Sequence, residues 1–273
     1  MIQSSYADSL HRIQAAIAAS KQVFSRFTPG AIQAEYKSGH DPVTEADRAV
    51  DTLLRENLLR DGEGWLSEES VDDPGRLDQR RVWIVDPLDG TREFVSGIPE
   101  WCVSIGLVED GRPVAGGIYN PATDELFVGA IDCGITYNGQ PARPSQKTSL
   151  EGALVLASRS EVKRGEWKQF ENIGFQIRPM GSVAYKLACV AAGLADVTFT
   201  LTPKNEWDVA AGIALVESAG GFERTLDGSR LSCNHRSPLL SGLMAAGPFL
   251  GQELTALLDP FLQQSAAAQK TGR

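Results

Sequence analysis

Residues 83–94 constrain this chain more than any other stretch, because a strand signal there runs directly into two closely spaced aspartates. Residues 82–85 are apolar and mostly β-branched, which predicts a buried strand. Pro87 cannot donate to a strand ladder. We therefore expect Asp86 at the end of the strand and Asp89 on a turn, where Asp89 caps a short helix that begins at Gly90 and Thr91.

This arrangement would place two carboxylates beside the unpaired amides of a helix start. Carboxylates attract hard cations, and helix-start amides attract anions. The segment could therefore hold Mg²⁺ and a phosphate together. The alternative is a strand followed by a simple turn with both aspartates in solvent.

Three further acidic positions stand at the ends of predicted elements. Glu68 follows a short strand at residues 64–67, and Asp208 begins a helix. Thr44 and Asp47 have capping-box spacing at another helix start, with Asp in place of Glu or Gln. Each has a purely structural alternative, namely a solvated acidic turn or a helix cap. Ends of elements are nevertheless where folds of alternating strands and helices place their sites.

Charge and cysteine usage exclude several classes of function. The net charge is −9, from 26 basic and 35 acidic side chains, which argues against binding a nucleic-acid polymer or a membrane through a basic surface. No apolar run is long enough to span a bilayer, and the first ten residues lack the pattern of a secretory signal. The four scattered cysteines predict reduced thiols of a cytoplasmic protein, not zinc ligands.

Strand and helix signals alternate along the chain. Asp110-Gly111 and Asn138-Gly139 predict tight turns within an antiparallel series. The chain becomes polar near residues 144–150, where we place a boundary. We expect an N-terminal α+β part (1–145) carrying most metal ligands, a C-terminal α/β part (146–265) carrying Asp208 and substrate specificity, and a flexible tail (266–273).

Two long segments in register resemble the signatures of the inositol monophosphatase family of metal-dependent phosphatases. Residues 83–94 resemble the first signature, and residues 207–221 (WDVAAGIALVESAGG) resemble the second. The elements around Glu68 and Asp47 match in order and spacing, and the resemblance covers residues 36–247. It implies a layered α/β fold, the αβαβα sandwich of the inositol monophosphatase and fructose-1,6-bisphosphatase type.

The resemblance also implies roles for individual residues. Glu68, Asp86 and the Leu88 carbonyl oxygen would hold a first Mg²⁺, and Asp86 would bridge to a second that Asp89 and Asp208 complete, with two or three ions in all. Thr91, hydrogen-bonded to Asp47, would orient and help to deprotonate the attacking water, so that Asp47, Thr91 and Glu68 are the expected catalytic residues. The substrate would contact Gly90, Thr91, Gly181, Ser182 and Asp208. The family also implies sensitivity to Li⁺ and a homodimer, and the role of Glu69 stays open.

The resemblance implies a small phosphorylated substrate, and more than one such molecule is compatible with the sequence. Family members acting on inositol phosphates carry an acidic residue seven positions before the second-signature aspartate, and Leu201 stands there. Three segments resemble the 3′(2′),5′-bisphosphate nucleotidase branch of the family, namely residues 89–94, 158–160 and 202–208. That branch removes the 3′-phosphate of adenosine 3′,5′-bisphosphate, so the resemblance favours this nucleotide as the substrate. Arg159, Lys186 and Lys204 are candidates for a second phosphate, or else solvated surface charges.

Inositol-1-phosphate or another phosphomonoester, such as histidinol phosphate, is the alternative substrate. A different class of function is a non-catalytic regulator that binds metal or phosphate on a phosphatase fold. The chain retains all the proposed metal ligands and the Thr91–Asp47 pair. A protein that only bound metal or phosphate would not need the pair that activates water, so this favours an enzyme over a regulator.

Overall fold

The structure is a computed structural model that describes residues 6–36 and 42–271 of the 273, with side chains described up to Phe261. The polar segment at residues 37–41 lies outside the described residues. The helices are α1 (Ala7–Phe24), α2 (Glu45–Leu58), α3 (Thr91–Val95), α4 (Arg159–Lys163), α5 (Val183–Ala191), α6 (Glu206–Ser218) and α7 (Gly251–Thr271). The strands are β1 (Glu35–Tyr36), β2 (Pro42–Val43), β3 (Gly64–Ser67), β4 (Arg81–Asp89), β5 (Cys102–Glu109), β6 (Arg112–Asn120), β7 (Glu125–Ala130), β8 (Gly134–Tyr137), β9 (Gln140–Ala142), β10 (Leu154–Ser158), β11 (Gln176–Met180), β12 (Val197–Thr200), β13 (Lys204–Asn205), β14 (Phe222–Thr225), β15 (Leu239–Leu240) and β16 (Leu243–Ala246).

A seven-stranded sheet forms the first β layer, with strands in the order β3-β4-β5-β6-β7-β8-β9. All neighbours are antiparallel except β3 and β4, which are parallel. The two turns predicted at Asp110-Gly111 and Asn138-Gly139 join β5 to β6 and β8 to β9. Asp110 and Asn138 both have positive φ, which these residue types tolerate.

Helices α1 and α2 cover one face of this sheet. Ile13 and Ile17 of α1 and Leu54 of α2 are buried in one apolar cluster with Trp83 of β4. The helix α2 begins where the sequence predicts, because Thr44 and Asp47 form a complete capping box. Packing of an apolar helix face on an apolar sheet face accounts for the first two layers.

The second sheet has the order β11-β10-β12-β16-β14. Its outer face packs against α7 and against Trp167 and Phe170, which lie between α4 and β11. Its inner face meets α5 and α6, which also pack on the uncovered face of the seven-stranded sheet. The layers are therefore α, β, α, β, α, and the predicted fold class is confirmed.

The two central helices contact both sheets, and their sequences show why. Every residue from Ala184 to Ala191 is buried, and Gly212 of α6 allows close approach to Leu187 of α5. One apolar cluster joins Ile118 and Phe127 of the first sheet to Ala245 of the second through these helices. The sheets change between Ala142 and Leu154, but the core continues across that point. The division into an N-terminal and a C-terminal part stays a prediction.

Several elements differ from the sequence-based prediction. β4 does not end at Asp86: it continues through Pro87 to Asp89, with a register irregularity against β5 between the two aspartates. Strand β14 and the short helix α4 follow no clear apolar period and were not predicted. The last helix continues to Thr271 rather than ending near Phe261.

Two smaller expectations also have outcomes. None of the four cysteines, all of which are described, forms a disulfide, and Cys102, Cys189 and Cys233 are buried, so the predicted reduced thiols are confirmed. Within residues 6–36 and 42–271, no helix is both long enough and apolar enough to cross a bilayer.

Candidate active site

Three acidic side chains from distant parts of the chain meet in one cluster. Glu68 follows β3, Asp86 lies on β4, and Asp208 lies in the first turn of α6. Each offers a carboxylate oxygen, and the three oxygens lie within 4.8 Å of one another. The family resemblance implies that Glu68 and Asp86 hold a first Mg²⁺ and that Asp208 helps to hold a second. The structure brings one oxygen of each of the three into a single cluster, and their division between two ions stays a prediction.

Neighbouring groups hold these carboxylates in place. Asp208 accepts a hydrogen bond from Asn205 N at 3.0 Å as part of the α6 capping box. Leu88 N donates to Asp86 Oδ1 at 2.9 Å, which fixes the Asp86 rotamer. The loop that carries Glu68 is tied to α2, because Ser67 and Ser70 both donate to the Asp51 carboxylate at 2.5 Å. The sequence analysis missed Asp51, whose only signal is its place on the buried face of α2.

The electrostatics of the cluster favour a cation. Burial, then repulsion by Glu68, Asp89 and Asp208, raises the pKa of Asp86 well above its usual range. The pKa of Asp208 is also raised, first by burial and then by repulsion from the charges of Asp89 and Glu68. Like charges held together in a buried site disfavour ionisation of each other. A divalent cation would relieve this repulsion.

Asp89 lies nearby but has a different role from the predicted helix cap. Gly90, with φ of +99°, occupies the N-cap position of α3, and no side chain caps this helix. Asp89 Oδ2 instead accepts hydrogen bonds from Ser182 Oγ and Ala184 N, both at 2.6 Å, at the start of α5. The prediction that Asp89 caps α3 is wrong, because β4 extends to Asp89 and directs its side chain to the C-terminal half. Asp89 is not one of the three clustered residues, and its role as a ligand of a second ion stays a prediction.

Thr91 and Asp47 form the predicted pair. Thr91 Oγ1 lies 3.0 Å from Asp47 Oδ1 and 3.0 Å from the Leu88 carbonyl oxygen. Asp47 Oδ2 accepts from Thr44 N at 2.8 Å and Thr44 Oγ1 at 2.5 Å. Burial raises the pKa of Asp47, and the hydrogen bonds from Thr44 and Thr91 oppose the rise. The capping box thus fixes Asp47 while leaving its second oxygen for Thr91.

Glu100 joins the two halves of the site, and the sequence analysis did not single it out. Its Oε2 accepts from Gly181 N at 2.7 Å and from Arg159 Nη2 at 2.5 Å. A Cβ on Gly181 would lie 2.4 Å from the Glu93 side chain, and one on Gly90 would lie 2.9 Å from the Glu100 carbonyl oxygen. Glycine at 181 therefore allows the C-terminal half to approach Glu93 and Glu100, and glycine at 90 allows the turn after β4 to pack against Glu100.

The predicted substrate residues Gly90, Thr91, Gly181, Ser182 and Asp208 all line one cleft of about 290 Å³, together with Glu68, Asp86, Leu88 and Asp89. The hydroxyl of Ser182 and the amide of Gly181 are already bonded to Asp89 and Glu100. Ser182 also has φ of +56°, a strained value for a residue other than glycine. The structure brings these residues to the cleft, and their contacts with substrate stay a prediction.

Neither Leu201, the position considered for substrate specificity, nor Glu69, whose role the sequence leaves open, lines the cleft. Leu201 packs with Phe199 and Phe170 in the outer apolar cluster, where an aliphatic side chain is favourable. Glu69 is half-buried, its N–H donates to Ser67 Oγ at 3.3 Å, and its charge acts on Arg48. The substrate argument from Leu201 therefore loses its geometric basis.

The donor set of the cleft fits Mg²⁺. Among the residues that the structure describes, the candidate ligands are all carboxylate or carbonyl oxygens, with neither His nor Cys in the lining of the cleft. Hard oxygen ligands suit Mg²⁺, whereas zinc sites use nitrogen and sulfur. The raised pKa values of Asp86 and Asp208 add an electrostatic reason to bind a cation.

Comparison with known proteins decides the family. The model of the inositol monophosphatase family matches residues 8–263. The chain belongs to the inositol monophosphatase family. It is 38% identical over 208 residues to an inositol-1-monophosphatase of Mesorhizobium japonicum, covering 73% of this chain and 77% of that protein. It is 33% identical over 270 residues to an inositol-1-monophosphatase of Synechocystis, covering 94% and 91%.

Solved structures of the inositol monophosphatase family agree with the fold. A Thermotoga maritima IMPase superposes with a TM-score of 0.81 at 27% identity, covering 94% of this chain and 99% of the other. Members of the family are Mg²⁺-dependent phosphatases, and the acidic cluster of this member could hold metal ions. The predictions of family, fold class and Mg²⁺ are confirmed. The 3′(2′),5′-bisphosphate nucleotidase branch is not specifically supported.

Proposed function

We propose that this member of the inositol monophosphatase family hydrolyses small phosphomonoesters with Mg²⁺, and that inositol-1-phosphate is among its substrates. The observation that carries the proposal is the acidic cluster of Glu68, Asp86 and Asp208 in the same cleft as the Thr91–Asp47 pair. The names of the relatives favour inositol-1-phosphate over the nucleotide that the sequence segments favour.

The proposed ligand sets follow from the cleft. Glu68, Asp86 and the Leu88 carbonyl oxygen would hold one Mg²⁺, and Asp86, Asp89 and Asp208 would hold a second. When bound, Mg²⁺ lowers the pKa of water and neutralises charge on the phosphoryl and leaving oxygens. The carboxylates are the chain's own contribution, since they fix the positions at which this charge is placed.

Thr91 and Asp47 supply the proton chemistry. Thr91 Oγ1 can donate to Asp47 and accept a hydrogen bond from the attacking water, which orients the water for in-line attack on phosphorus. As the new P–O bond forms and the ester P–O bond breaks, the water proton passes through Thr91 toward Asp47, and the leaving alkoxide takes a proton from solvent water. Burial raises the pKa of Asp47, which makes its carboxylate a stronger base for this proton. The Gly90 and Thr91 amides would receive phosphoryl oxygens.

A second candidate is removal of the 3′-phosphate from adenosine 3′,5′-bisphosphate. It is favoured by the cationic side chains that line the far part of the cleft, including Lys186 and Lys204. Histidinol phosphate is a further small phosphomonoester for comparison.

We also propose a cytoplasmic homodimer that binds no nucleic-acid polymer. The lack of a disulfide among the four cysteines supports the compartment, and the net charge of −9 supports the lack of polymer binding. Sedimentation equilibrium of the purified protein tests the dimer, and a mass of one chain would contradict it.

The test of the activity is kcat/KM for inositol-1-phosphate, adenosine 3′,5′-bisphosphate and histidinol phosphate, with Mg²⁺ or with EDTA. We expect Mg²⁺-dependent turnover of inositol-1-phosphate and its loss in Asp47→Asn. If the folded wild type hydrolyses none of the three but still binds Mg²⁺ and phosphate, the phosphatase proposal fails and the non-catalytic regulator replaces it.

A further inference from the structure

Two lysines line the cleft although both are mostly shielded from water. Lys186 of α5 is 4% exposed, and the Lys204 side chain is 16% exposed. Lys186 Nζ donates to the Ser182 carbonyl oxygen at 2.8 Å, and Lys204 Nζ donates to Glu161 Oε1 at 3.2 Å. The reading of these two residues as solvated surface charges is therefore wrong. A shielded ammonium group is costly unless an anion or several acceptors surround it.

Glu161 holds the Lys204 side chain in position from outside the cleft. Its carboxylate is buried and also accepts from Thr200 Oγ1 at 2.6 Å and Trp167 Nε1 at 3.2 Å. Glu161 does not line the cleft, whereas Lys204 does. Because a lysine ammonium has three donors, the Glu161 contact sets its position and leaves donors for a ligand in the cleft.

The charge lining the cleft is unbalanced once the carboxylate ligands are set aside. Apart from Glu68, Asp86, Asp89 and Asp208, the described residues that line it include one carboxylate, Glu93, and four cations. The cations are Arg92, Arg159, Lys186 and Lys204. The negative charge that acts most strongly on Lys186 is Asp89, which is one of the proposed Mg²⁺ ligands. Outside the cleft lining, Glu100 pairs with Arg159 and Glu161 pairs with Lys204. Once Mg²⁺ balances the four ligands, a net excess of one positive charge therefore remains around the two lysines.

The lysines belong to the C-terminal half, on the first turn of α5 and on β13, whereas the amides proposed for the reacting phosphoryl group belong to the turn after β4. We propose that Lys186 and Lys204 form a second anion subsite, which makes phosphomonoesters with a second anionic group the preferred substrates. The second group is a carboxylate or another phosphate. This inference rests on the proposed phosphatase activity and extends it, since inositol-1-phosphate has no second anion and would leave the subsite to water.

The test uses two pairs of substrates that differ only in the second group. Adenosine 3′,5′-bisphosphate is compared with adenosine 3′-phosphate, and glycerate 2-phosphate with glycerol 2-phosphate. We expect kcat/KM to be at least about 10-fold higher for the doubly anionic member of one pair, as for a charge-assisted contact. The first pair tests a second phosphate, and the second tests a carboxylate.

Variants assign the preference to the lysines. In Lys204→Met and in Lys186→Met, the ratio of the two kcat/KM values should fall to within about 3-fold of one, whereas Lys163→Gln, at an exposed position of α4, should keep the wild-type ratio. If Lys204→Met does not fold because Glu161 is left unpaired, the double variant Glu161→Gln/Lys204→Met removes both charges. Calorimetry with the Asp47→Asn variant measures Kd for both members of each pair, so that the preference can be compared without turnover.

Two results would overturn the subsite. One is a ratio near one in both pairs for the wild type. The other is an equal loss for both members of a pair in the lysine variants, which would mean that the lysines serve the reacting phosphoryl group. If either result is obtained while inositol-1-phosphate is still hydrolysed, the subsite is refuted but the phosphatase proposal stands. If no substrate is hydrolysed, the phosphatase proposal fails, and the binding ratios alone decide the subsite.

Discussion

Replacing Asp86 by Asn should make the metal-free protein more stable while removing its response to Mg²⁺. Asp86 shares its cluster with Glu68 and Asp208, with oxygens within 4.8 Å. Two unit charges at that distance repel by about 3.5 kcal/mol at an effective dielectric constant of 20. Burial and the neighbouring carboxylates raise the pKa of Asp86 and of Asp208. Removing the Asp86 charge should recover part of the repulsion, about 2 kcal/mol.

The substitution should otherwise preserve the structure. Asn retains an oxygen that can accept the hydrogen bond from Leu88 N, which Asp86 Oδ1 accepts at 2.9 Å. For a protein of this size, 2 kcal/mol corresponds to a rise in Tm of about 4 °C. Differential scanning calorimetry at pH 8 in EDTA measures this rise.

Repeating the scans with Mg²⁺ tests the site itself. The Tm of the wild type should rise with Mg²⁺ concentration, as expected for a ligand that binds only the folded state. The Tm of Asp86→Asn should not. Asp110→Asn, at an exposed turn that carries an ion pair to Arg80, is the matched control and should behave as the wild type. A metal-free Asp86→Asn protein less stable than the wild type, or one equally stabilised by Mg²⁺, would refute the electrostatic account of the cluster.

Three further predictions concern Thr91, the buried Glu223 of β14 and the response to Li⁺. Thr91→Ala should lower kcat by about 100-fold while keeping the rise in Tm with Mg²⁺. Thr91→Ser, which retains the hydroxyl, should recover most of kcat. Loss of the rise in Tm with Mg²⁺ in the Ala variant would contradict a role of Thr91 in orienting water. Burial raises the pKa of Glu223 from 4.5 to about 7, so stability should fall as pH rises through that window. Urea unfolding should therefore show Glu223→Gln more stable than the wild type by about 2–3 kcal/mol at pH 8 and by under about 1 kcal/mol at pH 5, and a difference independent of pH would count against this assignment. Li⁺ should inhibit turnover in competition with Mg²⁺, and inhibition unaffected by Mg²⁺ concentration would contradict a shared position.

The parts of the site that the sequence predicts are those with local causes. The capping box at Thr44 and Asp47 and the helix start at Asp208 depend on neighbours within three residues, so their geometry can be inferred from sequence spacing. The apolar run before Asp86 likewise identifies β4 directly.

The parts that the sequence does not predict depend on contacts across the fold. Asp89 accepts from the start of α5 rather than capping α3, because the tertiary approach of Ser182 and Ala184 supplies donors that no local pattern shows. Glu100 and Glu161 acquire their roles from Gly181 and Lys204, far away in the chain. For the same reason, the position of Leu201 relative to Asp208 did not indicate whether its side chain faces the cleft.

The placement of α5 and α6 between two sheets has a consequence for the order of folding. Glu68 and Asp86 come from the N-terminal sheet, whereas Asp208 arrives only when α6 docks on that sheet. Closing so long a loop costs chain entropy that is recovered only when the apolar faces meet. The complete set of three carboxylates therefore exists only once α6 has docked, and a nascent chain released before residue 208 would have an incomplete ligand set. Binding of Mg²⁺ by all three would report that α6 has docked, and the cation in turn would hold the two halves of the polypeptide together against local opening.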